Sequence, residues 1–276
     1  MGRIRIILQK DVLEKMYVKK NLTPVEIGRR LKCSFKTVRN RLKEFGIPFK
    51  NPALARMRYQ KFDCTHDPFI RSYMLGFRLG DLNVYKRGEH SETIVVRCHT
   101  THKAQVLVIQ SLFNPFGRVS VTPREEHFTV NCFLNRSFEF LLPKNERVWQ
   151  WIKDGDSVAQ SFIAGYVDAE ANFIINQGRA RFKIDSYDYA ILEWICSWLY
   201  KKSISYSYRC IRKKGPSWRN QPPLNGDLWR LNINEAGSLE RFIKEIFPFL
   251  RHAHRIRDVK KCITNIKLRR KNGSIK

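Results

Sequence analysis

The chain is poor in acidic residues, with 25 Asp and Glu against 52 Lys and Arg, and the resulting formal charge of +27 is spread along all 276 residues. Such a surplus calls for a polyanionic partner, either nucleic acid or an anionic membrane surface. Long apolar runs are also missing: none approaches the roughly 20 residues that span a bilayer, and the N-terminus has no signal-peptide apolar region. Those absences set the membrane aside and lead to the expectation of an intracellular protein that binds nucleic acid. Paired cysteines are the third absence. Cys33, Cys64, Cys98, Cys132, Cys196, Cys210 and Cys262 are scattered and odd in number, with no Cys-x-x-Cys, which argues for reduced thiols and against a zinc ribbon. Cys64 with His66, His99 with His102 and His252 with His254 have no matching second pair at zinc-finger spacing, and read as surface or groove-facing residues. What the chain does have is a hydrophobic fraction of 43%, enough for a core in one large domain or two to three modest ones.

Two short stretches repeat each other: Met74 to Asp81 reads MLGFRLGD and Ile163 to Glu170 reads IAGYVDAE. In each, small residues four apart (Gly76 and Gly80; Gly165 and Ala169) fall on one helical face, where the lack of side chains lets two backbones touch. The two copies are therefore expected to pack on each other, bringing Asp81 and Glu170 together at adjacent helix C-termini. The macrodipole and the neighbouring charge both oppose carboxylates there. Bound divalent cations would offset both costs, and hard metals take carboxylate oxygens together with substrate phosphates. Phosphate chemistry follows as the expectation.

In these residues the chain resembles the LAGLIDADG homing endonucleases of the single-chain, two-motif type. The eighth motif position, which carries the catalytic acid in that family, is Asp81 in the first copy and Glu170 in the second. The sixth is Asp168 in the second copy but Leu79 in the first, and the closing glycine is replaced by Leu82 and Ala171. The similarity runs from about Asp67 onward. It implies an α+β fold of two pseudo-twofold-related αββαββα units forming a DNA-binding saddle, spanning 67–152 and 153–276. It also implies a monomer that makes a double-strand break in double-stranded DNA with Mg²⁺ or another divalent metal such as Mn²⁺, from a gene carried in an intron. The alternatives on this fold are an intron RNA maturase, with intron RNA as partner, and a DNA-binding regulator that has lost its acids. For the metal site the resemblance implies Asp81 and Glu170 with the preceding Gly80 and Ala169. It adds basic residues around that site: Arg97 and Lys183, each either catalytic or a phosphate or base contact, and Lys144 after Pro143. The second-half counterpart of Lys144 lies between Arg251 and Arg255.

The first fifty residues read as a separate unit. Thr23-Pro24-Val25-Glu26 is a capping box opening a helix with Ile27 and Leu31 inward, and Ser34 caps a second helix with Val38, Leu42 and Phe45 inward, ended by Gly46 and Pro48. This pattern resembles a helix-turn-helix over 1–52, followed by a basic linker over 53–66. Its second helix would offer Lys36, Thr37, Arg39, Asn40 and Lys43 to a major groove; the alternative is a small helical cap with a solvated basic face.

Further along, Ile94 to Thr100, His127 to Asn135, the Arg181–Lys183–Asp185 segment, Tyr206 to Ile211 and Leu228 to Asn234 alternate as strands do, with Arg97, His99, Arg181, Lys183 and Arg230 candidates for DNA contact. Apolar helices with Ala104, Ile109 and Ser111, and with Ala190, Ile195 and Ser197, should back the sheets, with Trp194 and Trp198 in the core. Third helices are expected around Phe138 to Trp151 and Leu239 to Arg251. The loop Arg212 to Asp227, carrying Lys213, Lys214 and Arg219, is expected to follow a phosphate backbone.

Overall fold

The computed structural model describes residues 8–20, 22–49, 59–89, 91–144, 147–217 and 222–275. The chain divides into two compact units, Met1–Gln60 with His90–Glu92, and Lys61–Glu89 with Thr93–Lys276.

The first unit is helical. Helix α1 (Lys10–Glu14) runs into a π-helical turn (Lys15–Lys19), followed by α2 (Pro24–Arg30) and α3 (Phe35–Glu44). The Thr23 hydroxyl accepts from the Glu26 amide at 3.2 Å while the Glu26 carboxylate accepts from the Thr23 amide at 2.7 Å, so two orphan donors at the start of α2 are satisfied reciprocally. At α3, Ser34 Oγ accepts from the Thr37 amide at 3.0 Å. A Cβ on Gly28 would stand 2.7 Å from the Cys33 carbonyl oxygen, so the turn closes against α2 only because that residue is glycine. Leu13, Ile27, Val38 and Leu42 are fully buried and share a core with Leu8, Tyr17 and Ile47. Helix α1 and the π-helical turn, which bring Leu13 and Tyr17 to that core, were not anticipated from the sequence.

The second unit opens with α4 (Pro68–Asp81), β1 (Asn83–Lys86), β2 (Ile94–Thr100), α5 (Lys103–Phe113), β3 (Arg118–Pro123) and β4 (Phe128–Leu134). After a 3₁₀ turn (Arg136–Leu141) and the short α6 (Gln150–Lys153) the same order returns: α7 (Asp156–Glu170), β5 (Ala171–Asn176), β6 (Arg179–Ser186), α8 (Tyr189–Lys201), β7 (Ser207–Arg212) and β8 (Leu228–Ile233). Helix α9 (Ala236–Ile246), a 3₁₀ turn (Phe247–Phe249) and α10 (Ala253–Lys271) complete it. The strands make two four-stranded antiparallel sheets of matching order, β1-β2-β4-β3 and β5-β6-β8-β7. One face of each is core: Ile94, Val96, Val130 and Cys132 in the first, Phe182, Ile184, Leu231 and Ile233 in the second. Helices α5 and α8 back them, Trp198 buried and Trp194 edge-on to Phe162 at 5.7 Å.

The centre of the unit is the α4/α7 pair. A Cβ on Gly76 would lie 2.1 Å from the Phe162 carbonyl oxygen and 2.8 Å from the Tyr166 nitrogen; a Cβ on Gly165 would lie 2.2 Å from the Tyr73 oxygen and 3.0 Å from the Phe77 nitrogen. Tyr73 and Phe77 stand to Gly76 as Phe162 and Tyr166 stand to Gly165, so the contact is reciprocal and the pair has local twofold symmetry. No separation but backbone-to-backbone would satisfy it.

Three sequence expectations need correction. Among the described residues the first half has no continuous third helix over Phe138 to Trp151: Pro143 can neither donate nor continue a helix, and the described part makes the 3₁₀ turn and α6. In the second half that helix stops at Ile246, before Pro248, and the unexpected α10 follows. Residues 61–66, read as the end of a linker over 53–66, belong to the second unit: the Phe62 amide donates to Phe116 O at 2.9 Å and the Cys64 amide to Ser137 Oγ at 2.7 Å, with Cys64 buried rather than on the surface. Among the described residues no helix is long and apolar enough to cross a membrane.

Candidate active site

Asp81 is the last residue of α4 and Glu170 the last of α7; the chain turns extended at Leu82 and Ala171, which leaves both carboxylates at helix C-termini. Gly80 and Ala169 bring the two ends together. A Cβ on Gly80 would stand 2.6 Å from Ala169 Cβ and 2.9 Å from Glu170 Oε1. Burial pushes the Asp81 carboxyl up to about 6, against the opposing pull of Arg255 and the hydrogen bond from Gln105. Glu170 is pushed up to about 7 by burial first, then by the charges of Asp81 and Asp188, while Lys144 and Arg255 draw it down. Two partly buried acids, one raised further by the other's charge, are an arrangement that folding alone does not favour.

The two acids are held differently. The Thr100 hydroxyl donates to Gln105 Oε1, and Gln105 Nε2 donates to Asp81 Oδ2. In the second half Ser186 stands in place of Thr100: each hydroxyl accepts from the amide two residues on, His102 and Asp188, at 3.1 Å. Five residues past Thr100 is Gln105, but five past Ser186 is Ile191, which has no donor to offer Glu170.

Asp168 completes the surroundings. Its Oδ2 accepts from Tyr73 Oη at 2.6 Å, from the Arg251 amide at 2.7 Å and from the His252 amide at 3.0 Å, tying α4 and α7 to the entry of α10. Arg255, three residues past His252, is half-buried; burial draws its guanidinium below the usual range, and the charges of Asp168, Asp258, Asp81 and Glu170 oppose that shift. Of the two candidates left open by the sequence, Arg255 faces both acids; Arg251 is exposed and lies over the Tyr73 ring at 5.1 Å. His252 is buried, contrary to its surface reading, because its amide anchors on Asp168.

The donor set suits a hard cation. Among the described residues no group of three or more His, Cys, Asp or Glu side chains is placed to hold a metal, so the protein offers two carboxylates and the orphan carbonyls of two helix ends, including those of Gly80 and Ala169. Such a set leaves positions for phosphate oxygens.

Among the remaining predicted residues, Lys144 lies near enough to Glu170 for its charge to lower that carboxyl. Arg97 is half-exposed, its Nε donating to Asn131 at 2.8 Å and its guanidinium over Tyr85 at 5.4 Å; Lys183 lies 3.3 Å from Asp185. His99 is exposed, 3.1 Å from Thr129 Oγ1. Arg230 forms a two-pronged pair with Asp185 at 2.6 and 2.7 Å. Arg181 and Lys183 line a concavity of about 410 Å³ over the second sheet together with Ser207, Arg209, Arg230 and Asn232. Lys144 is exposed. Lys213 is paired with Asp227 at 2.8 Å, Lys214 is exposed, and Arg219 lies outside the described residues. In the first unit Lys36, Arg39, Asn40 and Lys43 are exposed on α3, whereas the Thr37 hydroxyl, 2.9 Å from Ser34 Oγ, belongs to the helix cap. Gln105 and the Asp168 anchor escaped the sequence reading, since each acts across a long separation in the chain.

No family model matches the chain, and no curated protein matches it. Among solved structures it is similar to mesophilic variants of the homing endonuclease I-DmoI, at 17% identity over 66% of this chain and 96% of that one with a TM-score of 0.47. It is similar also to the homing endonuclease I-WcaI bound to its DNA recognition sequence, at 10% identity over 70% and 88% with a TM-score of 0.49. A third likeness is to full-length DUF199/WhiA from Thermatoga maritima, at 14% identity over 73% and 61% with a TM-score of 0.46. These likenesses are too distant to assign chemistry.

Proposed function

We propose that this chain is a metal-dependent DNA endonuclease of the homing type, hydrolysing one phosphodiester in each strand of a long duplex target. The observation that carries the reading is the pair Asp81 and Glu170, held side by side at the ends of two glycine-packed helices, each leading into a sheet whose other face carries rows of polar side chains. Asp81 and Glu170, with the Gly80 and Ala169 carbonyls, would hold Mg²⁺ or Mn²⁺, which when bound stabilises the attacking and leaving oxygens of the displacement. Arg255 sets a fixed positive charge beside both acids, where charge builds on the phosphate, and Lys144 adds a mobile one beside Glu170. Arg97 and Lys183 stand on the open sheet faces as contacts to phosphate or base. No side chain is required as a covalent nucleophile. The α3 face of the first unit, with Lys36, Arg39, Asn40 and Lys43, extends the contact with DNA.

The test is a plasmid carrying the uninterrupted form of the gene that hosts this reading frame, which an intron-borne endonuclease would cut once. Linearisation that requires Mg²⁺ or Mn²⁺ and stops on chelation supports the reading. A plasmid left intact, with no retention of duplex DNA at low salt, defeats it.

Two further outcomes are expected from the same reading. Glu170 lacks the hydrogen bond that Gln105 gives Asp81 and gains its proton at a higher pH, so the two strands should be cut at unequal rates. A nicked circle should accumulate near pH 6.5 and fade by pH 8.5, and Gln105→Leu should shrink the difference between strands; equal strand rates at both pH values would contradict this. The second outcome concerns salt. Each phosphate contact contributes a slope of about 0.9 in log K against log[salt]. Because Asp227 already neutralises Lys213, replacing Lys213 and Lys214 together by Ala should lower that slope by about one contact rather than two, equally for all sequences.

A further inference from the structure

Antiparallel strand partners place their side chains on one face, so the registers give the composition of each row across the open side of a sheet. In the first sheet one row reads Asn83, Arg97, Asn131, Ser120 from β1 to β3. The row at the same level of the second sheet reads Asn172, Lys183, Asn232, Ser207 from β5 to β7. Both begin two residues after the motif acid, so each is the level of its sheet tied most directly to the paired carboxylates, and all eight side chains are exposed or half-exposed. Amide, cation, amide, hydroxyl recurs in the same order.

The rows on either side do not match. On one side the first sheet carries His99, Thr129 and Thr122, with no carboxylate or guanidinium, where the second carries Asp185, Arg230 and Arg209. On the other side Tyr85, Val95 and Phe133 face Ile174 and Arg181 as counterparts, with Arg118 at the edge of the first sheet alone. Asp185 holds the Arg230 guanidinium by Nε and Nη2, which fixes its plane and leaves the Nη1 edge free. A guanidinium held this way suits a guanine O6/N7 edge; His99 and Thr129 present nothing equivalent.

From these registers, and resting on the endonuclease reading, we infer that the duplex target is an inverted repeat at the base pairs under the matched rows and asymmetric at those flanking them. The matched rows meet DNA related by the pseudo-twofold axis with the same donors and acceptors, and so prefer the same base on opposite strands. The flanking rows impose different preferences on the two half-sites, and the second half-site takes guanine under Arg230. The two ends of the target are thereby distinguishable, which fixes the orientation in which the chain sits.

The full chain and the plasmid site it cuts provide the test, with every single-base-pair change across the site scored for cutting and for retention. Asn131→Ala and Asn232→Ala should each relax preference about tenfold, at positions equidistant from the cut centre whose preferred bases are inverted copies. His99→Ala and Arg230→Ala should relax equidistant positions whose preferred bases differ. The double substitution His99→Asp with Thr129→Arg should carry the guanine preference into the first half-site, and the reciprocal Asp185→His with Arg230→Thr should remove it from the second, so failure of one variant to fold leaves the other. Relaxation at unpaired positions, or bases under the matched rows that are not inverted copies, overturns the inference while leaving the endonuclease reading intact. If no DNA is cut or retained, both fall.

Discussion

Asp81→Asn and Glu170→Gln are each expected to reduce double-strand cleavage by about 10²–10³-fold while duplex binding persists, since loss of one preorganised charge-stabilising group at a reacting centre has effects of that size. Cleavage unchanged in both variants would remove these acids from the chemistry. Stability should move the other way. Both carboxyls lie above their ordinary range, at about 6 and about 7, because burial disfavours both charged forms and the charge of Asp81 adds to this at Glu170. Between about pH 4 and pH 7 the folded protein therefore binds more protons than the unfolded one, and without metal its stability falls as pH rises through that window, by up to about 3 kcal/mol per acid. The neutral variants cannot ionise. They should melt at a higher temperature than the parent at pH 8 without metal and no higher at pH 4. Added Mg²⁺ should raise the parent's melting temperature at pH 8 far more than at pH 5.5, because the ligands must be ionised, and the variants should lose most of that gain. A parent with a flat pH dependence, or variants no more stable than the parent at pH 8, would show that the acids are not strained in the metal-free fold.

The second large effect is on folding. Gly76→Val or Gly165→Val places a Cβ 2.1 or 2.2 Å from a carbonyl oxygen of the opposing helix, and backbone at the centre of a packed unit cannot yield as a side chain can. Loss of more than about 4 kcal/mol is expected, beyond the usual range for a point change. Gly80→Ala meets the Ala169 methyl group at 2.6 Å instead, and should cost the roughly 1–3 kcal/mol of ordinary overpacking while displacing the Glu170 carboxylate and lowering activity. All 6 tryptophans lie beyond residue 148, so intrinsic fluorescence in denaturant follows the second unit. A Gly76→Val protein with the parental fluorescence transition would show that the helices do not need their close approach.

The sequence made the helix pair legible because small residues at helical spacing, twice over, have few other physical readings, and a carboxylate at each end points to its own use. The strands that alternate were legible for the same reason. Helix α10 was not: its polar, basic composition hides the buried positions Val259, Cys262 and Ile266, which face β5 and β6 only in the folded chain. Arg255 was therefore in view as a cation but not as the one beside both acids. Asn83 and Asn172 were available as a signal, each two residues past its acid, but their meaning depends on strand register, which no spacing within one strand reveals.

The bond from Tyr73 to Asp168 has a bearing on how the halves recognise one another. Under the local twofold of α4 and α7, the residues that mirror Tyr73 and Asp168 are Phe162 and Leu79, both apolar and buried. Two copies of the first half would thus seal Tyr73 hydroxyls against Leu79 without a partner, at about 1–3 kcal/mol apiece, and two copies of the second would set Asp168, still held by the Arg251 and His252 amides, against Phe162 with the Tyr73 bond lost. Cut into separate chains, the halves would sort into mixed pairs and reject their own kind: a lock and its key descended from one shape, no longer able to dimerise with themselves.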